Sequence, residues 1–241
     1  MVTTAARPDG TGSGCAPTVQ PPLAVWSSSG GKDSLLALWH AKRLGLQPAT
    51  MLTMFEETGM RSRSHGVARR LMELQARSLG LELVTPAANW AGYEQVFVSA
   101  LRMLRETGHQ IAIFGDIDLQ PHRDWEERVC SLAGLEPCLP LWQRERRELA
   151  RESLSLGFRS LVVCTDSRHL SDEFCGREYD ERFLADLPPG VDACGENGEF
   201  HTFVYDGPLF LHPVPVEVIG RESYVAPPEL GAVRYCFATL R

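Results

Sequence analysis

The chain has 241 residues, of which 44% are hydrophobic and 23% charged, so it is long enough to bury a sizeable core and too apolar for global disorder. Lys and Arg number 24 against 31 Asp and Glu, a net charge of −7 that argues against duplex nucleic acid as a partner. No apolar run approaches the roughly 18 residues a membrane helix needs, and the stretch Phe203 to Ile219 is broken by Asp206, Pro208, Pro213 and Pro215. Residues 1–22, rich in Gly, Pro, Thr and Ala, read as a disordered tail without the apolar centre of a secretory signal. The expectation is a cytoplasmic protein. Its seven cysteines form no C-x-x-C, so a zinc knuckle or disulfide framework is not expected. Cys164 and Cys236 lie in apolar stretches and read as reduced, buried thiols.

In chain order, Leu23 to Trp26 reads as a strand, followed by a serine- and glycine-rich turn. Leu35, Leu36, Leu38 and Trp39 then recur at helical spacing, with Gly45 as a stop. Ala49 to Phe55 is a second strand. Val67, Leu71, Leu74 and Ser78 mark a helix ended by Gly80, and Leu81 to Val84 is a third strand. A strong stripe from Tyr93 to Leu104 is a helix, and Ile111 to Phe114 a fourth strand. Trp125, Val129 and Leu132 line a helix closed by Gly134. Glu136 to Trp142 reads as a rigid connector that packs Trp142 into the core. A polar helix from about Arg144 to Leu156 leads to a strand at Leu161 to Cys164. This alternation predicts an α/β fold with a parallel sheet and helices on both faces. Beyond Pro188, short β-type runs at Thr202–Val204, Val214–Ile219 and Val233–Ala238 predict a smaller β-containing C-terminal region. The expected division is a nucleotide-binding domain at 23–140 and a substrate-binding region at 141–241.

Three segments carry chemistry. Ser29-Gly30-Gly31-Lys32-Asp33-Ser34 lies between the first strand and its helix. Paired glycines admit a ligand close to the backbone, and the helix N-terminus presents unpaired amides and a positive dipole end. Ser29 and Ser34 add hydroxyls, and Lys32 adds a mobile positive charge. Asp33 either meets phosphate through Mg²⁺ or caps the first helical turn. The segment is not a Walker A loop, which would need Gly at 26 and Ser or Thr at 33, where Trp26 and Asp33 stand. The second segment, Gly115 to Trp125, follows the fourth strand. Gly115 and Asp116 are candidate nucleotide-binding residues, and Asp116 and Asp118, with Asp33, candidate metal ligands. His122 and Arg123 read either as phosphate or substrate contacts or as part of a polar loop capping a helix. In the third, Cys194 to Phe203, Glu196, Asn197, Glu199 and His201 crowd around Gly195 and Gly198 just before a strand. Solvated hairpin residues are the plainer reading. A site for ammonia, a metal or a substrate headgroup is the functional one.

The hexapeptide SGGKDS resembles the pyrophosphate-binding loop of the N-type ATP pyrophosphatases, which cleave ATP to AMP and pyrophosphate while adenylating an oxygen. That resemblance implies a Rossmann-like (HUP) open sheet of five parallel strands in the order 3-2-1-4-5, with Gly115 and Asp116 facing Gly30 and Gly31 across the switch point. Together, SGGKDS, GDIDLQPHRDW, PCLPLW and GENGEFHT resemble, over roughly residues 23 to 220, the diphthine–ammonia ligase family. The resemblance implies an AMP-forming amide ligase that uses ATP and Mg²⁺, with Lys32, Asp33, Glu196, Glu199 and His201 as catalytic candidates. Its partners would be a small-molecule or protein-bound carboxylate and ammonia or another amine donor, with a homodimer an open possibility. The family's eukaryotic and archaeal members resemble E-G-G-E-Y-E-T at the third segment, where this chain has Asn197 and His201. GENGEFHT resembles a bacterial branch, for which corrinoid salvage is an alternative, by amide ligation or by hydrolysis. A non-catalytic ATP-binding regulator and a tRNA-modifying enzyme are the other readings, the last disfavoured by the acidic charge and the lack of paired cysteines.

Overall fold

Side chains alternate strictly along the first strand, β1 (Leu23–Ser27): Ala24 and Trp26 enter one apolar cluster and Val25 the other. A strand buried on both faces needs helices on both sides, and the computed structural model, which describes residues 21–226 and 232–241, has them. The expected tail, apart from residues 21 and 22, and Cys15 lie outside the described residues. After β1 come α1 (Lys32–Arg43), β2 (Gln47–Leu52), α2 (Arg69–Ser78), β3 (Glu82–Val84), α3 (Tyr93–Glu106), β4 (Ile111–Ile113), α4 (Gln120–Ala133) and β5 (Glu136–Cys138). These strands pair in parallel in the order β3-β2-β1-β4-β5. Leu35, Leu36 and Leu38 of α1 and Leu71 and Met72 of α2 cover one face. Phe97 and Leu101 of α3 and Val129 and Cys130 of α4 cover the other.

The rest of the chain forms α5 (Arg146–Ser155), β6 (Arg159–Asp166), α6 (Glu181–Asp186), β7 (Phe200–Asp206), β8 (Val218–Val225) and β9 (Arg234–Leu240). Its four strands make an antiparallel sheet in the order β7-β6-β9-β8. Val162, Phe200, Phe203 and Val204 of this sheet join the cluster on the α1–α2 side. The second sheet is thereby welded to the first through α1.

Three sequence expectations shift. Glu136–Cys138 is a strand rather than a connector, because its backbone completes the ladder with Ile111–Ile113, and Leu141 rather than Trp142 enters the core. The strand expected to continue the alternation at Leu161 to Cys164 is β6, a member of the antiparallel sheet. The run expected at Val214–Ile219 begins four residues later, beyond Pro213 and Pro215, where pairing with β9 becomes possible.

His109 joins the two halves of the parallel sheet. Its Nδ1 lies 3.0 Å from the carbonyl oxygen of Leu104 and its Nε2 3.0 Å from Thr50 Oγ1. A carbonyl only accepts, so Nδ1 carries the hydrogen and Nε2 accepts from the threonine. Burial lowers its pKa below the usual histidine value. The unfolded chain therefore takes up a proton near pH 6.5 that the folded chain refuses, so this residue's share of the stability is lost as pH falls below that point. We predict that His109→Asn flattens stability against pH between about 6.5 and 5, by at most about 1.4 kcal/mol per pH unit, as read by denaturant melts across that range. Parallel curves for the two proteins would contradict it.

Candidate active site

The connections leaving β1 and β4 run to opposite sides of the sheet, which opens a crevice at the strand carboxyl ends. A cavity of about 740 Å³ lies there. Its walls include Ser29, Gly31, Lys32, Asp33 and Ser34 from the first segment, Gly115, Asp116 and His122 from the second, and Glu196, Asn197 and His201 from the third. Segments up to about 170 residues apart in sequence thus share one site; the amide of Lys32 donates to Thr202 Oγ1 at 3.1 Å across that span.

The glycine turn is shaped by its neighbours. Gly30 has φ +84°, which favours glycine, and its carbonyl accepts from the Val204 amide at 2.9 Å and from Gln75 Nε2 at 3.1 Å. At Gly31 a Cβ would meet His65 Cε1 at 2.7 Å. At Gly115 a Cβ would meet the backbone of Ser34 at 2.8 Å, so the second segment closes on the start of α1 only as glycine. Ser28 Oγ accepts from the Gly30 amide at 3.0 Å, which fixes the turn from within. Among the described residues, the amides of Gly31, Asp33 and Ser34 have no hydrogen-bond partner, so α1 offers free donors at the cavity floor.

Lys32 departs from the expectation of a mobile, solvent-facing charge, being 3% exposed. Its Nζ pairs with Asp33 Oδ2 at 2.7 Å, donates to the Cys194 carbonyl, and lies 5.4 Å from the ring centres of Tyr179 and Phe200. Burial opposes its charge, but Asp33, Cys194 and Tyr179 together outweigh that and raise the pKa above the usual lysine value. The side chain is a tether between α1 and the third segment.

Carboxylates crowd the opposite wall. Burial, then the charge of Asp33, then that of Asp116 push Glu196 up to about 7, and its Oε1 accepts from the Ile117 amide at 3.3 Å. Burial likewise raises Asp33, against the pull of Lys32, with Asp192 and Asp116 adding to the rise. Burial works against ionisation of Asp116 too, but His122, with Nδ1 2.7 Å away, and Glu126 hold its pKa down. Glu126 beside it is pushed up to about 11 by burial first and Asp116 second, so it is uncharged at neutral pH. Asp33 and Asp116 both line the cavity, but Lys32 and His122 already pair with them, and among the described residues no group of three or more His, Cys, Asp or Glu is placed to hold a metal ion, so a divalent cation here would need phosphate oxygens as further ligands.

Three candidates are placed elsewhere. Asp118 pairs with Arg146 Nη2 at 2.5 Å, outside the cavity, so its charge is already compensated. Arg123 stacks on Trp142 at 5.0 Å and pairs with Glu127 at 2.6 Å, also away from the cavity. Glu199 is buried under its own loop, accepting from the Asp192 amide at 3.2 Å, the Asn197 amide at 3.1 Å and Asn197 Nδ2 at 3.0 Å. It is a brace for the loop, and Asn197 is shared between that brace and Arg146 at 3.2 Å.

The structure also adds residues that sequence reasoning missed. Arg63 and His65 come from the long connection between β2 and α2, and Trp90, Tyr93 and Glu126 from the α3 and α4 side. Nothing in their local sequence marks them, because their role comes from loop placement. Thr202 stood within the third segment but carried no assigned role.

Removing the tether tests this arrangement. Lys32→Met strands the Asp33 carboxylate and the Cys194 carbonyl, and we predict a loss of about 1–3 kcal/mol in a denaturant melt, with protease cleavage appearing within residues 194–199. An unchanged melt and cleavage pattern would show that Lys32 does not hold the loop.

Comparison with known proteins identifies a family. Residues 23–137 match the family model described as the diphthamide synthase N-terminal domain, and residues 145–226 match the diphthamide synthase C-terminal domain. The human diphthine–ammonia ligase is 35% identical over 96 residues, 38% of this chain and 36% of that protein. The zebrafish (Danio rerio) protein of the same name is 31% identical over 118 residues, 45% and 46% of the two chains. That of Schizosaccharomyces pombe is 25% identical over 205 residues, 76% of this chain and 34% of the other. The matches thus span less than half the length of these relatives. A crystal structure described as a predicted subunit of tRNA methyltransferase from Methanocaldococcus jannaschii aligns with TM-score 0.38 and 16% identity over 76% of this chain and 96% of that one. Matched in succession by both domain models, over most of its length, the chain belongs to the diphthamide synthase family.

Proposed function

We propose that this protein is an ATP-dependent amide ligase that adenylates a carboxylate and passes the acyl group to ammonia. One observation carries the reading: unpaired amides at the start of α1 share a single cavity with an acidic wall formed by Asp33, Asp116 and Glu196. The names of the relatives, diphthine–ammonia ligases, give the reaction class.

A free carboxylate resists amines because an oxide is a poor leaving group. In the first half-reaction its oxygen attacks the α-phosphorus of ATP, a P–O bond forms, and pyrophosphate leaves with the electron pair. The Gly31, Asp33 and Ser34 amides and the dipole end of α1 are suited to stabilise the charge that builds on the departing phosphates. Asp33 and Asp116 would hold Mg²⁺, which when bound neutralises phosphate charge. In the second half-reaction ammonia attacks the acyl carbon and AMP leaves. Glu196 lines the same cavity near Asp116 and is suited to take the proton that the attacking nitrogen releases. Asn197 and His122 flank the same wall as candidate acceptor contacts.

Two predictions follow from this division of labour. At one hundred times its dissociation constant, ATP with Mg²⁺ stabilises the fold by about 2.7 kcal/mol, with AMP and pyrophosphate released only when a suitable acid from a panel including diphthine and corrinoid carboxylates is present. Absence of any thermal shift at millimolar nucleotide would sink the reading. The second concerns the two glutamates. Glu196→Gln should keep the ATP-induced shift while slowing amide formation ten-fold or more, roughly the effect of losing a general base. Glu199→Gln should instead lower the melting point, because it turns a carboxylate that accepts three N–H bonds into an amide. A reversal of those phenotypes would exchange the two roles.

A further inference from the structure

We propose that His65 and His201 together form the subsite for the nucleophile, their free ring nitrogens accepting N–H bonds from uncharged ammonia or a small primary amine so that its lone pair stays available for attack; this rests on the amide-ligase reading above. The two rings stack with centres 4.5 Å apart and planes 28° from parallel, on the cavity wall. His65 is locked in place on two sides. Its Nδ1 lies 2.8 Å from the carbonyl oxygen of Thr202, and its Cε1 is 2.7 Å from where a Cβ at Gly31 would be. Because that carbonyl can only accept, Nδ1 carries the hydrogen, and in the uncharged ring Nε2 keeps its lone pair.

The rest of the pair is unspent. Among the described residues, His65 Nε2 makes no hydrogen bond, and neither ring nitrogen of His201 makes one. A partly buried imidazole with both nitrogens unused is costly unless a ligand or water supplies partners. All three nitrogens belong to residues that line the cavity, so a ligand there can partner them.

The surroundings select for an uncharged guest. Burial pushes His201 down to about 4 and His65 well below the usual histidine range; the charge of Lys32 adds to the fall of His201, and His201 itself, then Lys32, to that of His65. The Thr202 carbonyl for His65 and Glu199 for His201 pull the other way without reversing the shift. An imidazolium here would donate to ammonia and consume its lone pair; an uncharged ring accepts from it. Lys32, fixed beneath the turn, disfavours ammonium at the same place. In the transfer itself the C–N bond forms as the C–O bond to AMP breaks. AMP takes the electron pair, and the surplus proton on nitrogen goes to Glu196, the base proposed above.

The stack also gives His201 a reason to differ from the glutamate-rich form of this segment. A carboxylate there would bind ammonium, whereas an imidazole paired with His65 binds the free base. His65 comes from the connection between β2 and α2 and His201 from β7, so the subsite exists only where that connection packs against the second sheet.

The test uses the full chain labelled with ¹⁵N-histidine. Ammonium chloride is titrated at mildly alkaline pH against potassium chloride as the ionic control. Saturable shifts of His65 Nε2 and the His201 nitrogens are expected with ammonium alone, and methylamine should compete. His65→Phe keeps a flat ring without a nitrogen and should weaken the His201 response at least ten-fold; His65→Asn, which restores an acceptor, should recover part of it. In turnover with ATP and an accepted carboxylate, His65→Phe should raise KM for ammonium about ten-fold with KM for ATP unchanged. Ring shifts no larger than those in potassium chloride, or amide synthesis with an unaltered ammonium KM in His65→Phe, would overturn the subsite while leaving the ligase reading intact. Ring shifts without amide formation from any acid would do the opposite.

Discussion

The buried ammonium of Lys32 is the contact on which the rest of the site depends. It reaches from the first turn of α1 to the carbonyl of Cys194 and lies against Tyr179 and Phe200, with Asp33 as its counter-charge. A lysine this deeply buried is tolerable only with such partners. The same turn of α1 receives Thr202 Oγ1 on its backbone amide. Between them, one side chain and one amide fasten the antiparallel sheet onto the parallel one, at the place where the parallel sheet opens its crevice.

That fastening determines how charge is distributed in the cavity. Positive charge is tucked below the floor, where α1 still presents free amides. Negative charge gathers on the far wall, where Asp116 and Glu196 face one another's fields and Glu126 stays protonated to relieve them. A site with donors on one side and carboxylates on the other suits a polyanion and the cation that accompanies it. The imidazole pair adds a third, uncharged wall. The two half-reactions proposed above would map onto separate walls of one space.

Several residues changed meaning once packed. Lys32 reads from sequence as a phosphate ligand because it follows two glycines; burial makes it a tether. Glu199 reads as an acid in a functional loop; three N–H donors make it a brace. Asp118 reads as a metal ligand two residues from Asp116, yet the chain turns between them and delivers Asp118 to Arg146. In each case the residue type was legible and the direction of its side chain was not, since direction depends on partners 28 residues away for Asp118 and 162 for Lys32, and for Glu199 on how its own loop folds back.

What the sequence by itself determined is the local grammar: the alternation of strands and helices up to residue 133, the glycine turn, and three polar segments dense enough to mark a site. These follow from hydrophobic period, glycine backbone freedom and helix-end electrostatics, all set within a few residues. The family's sheet order entered only through the resemblance of whole motifs. Tertiary structure decided what short-range signals cannot encode. It made Glu136–Cys138 a strand, because only the neighbouring β4 backbone supplies its ladder. It placed β6 in a second sheet, because β7 and β9 are its partners. And it brought His65 against His201, two imidazoles separated by 136 residues of chain, because the loop between β2 and α2 seats on the bare Cα of Gly31 and the carbonyl of Thr202.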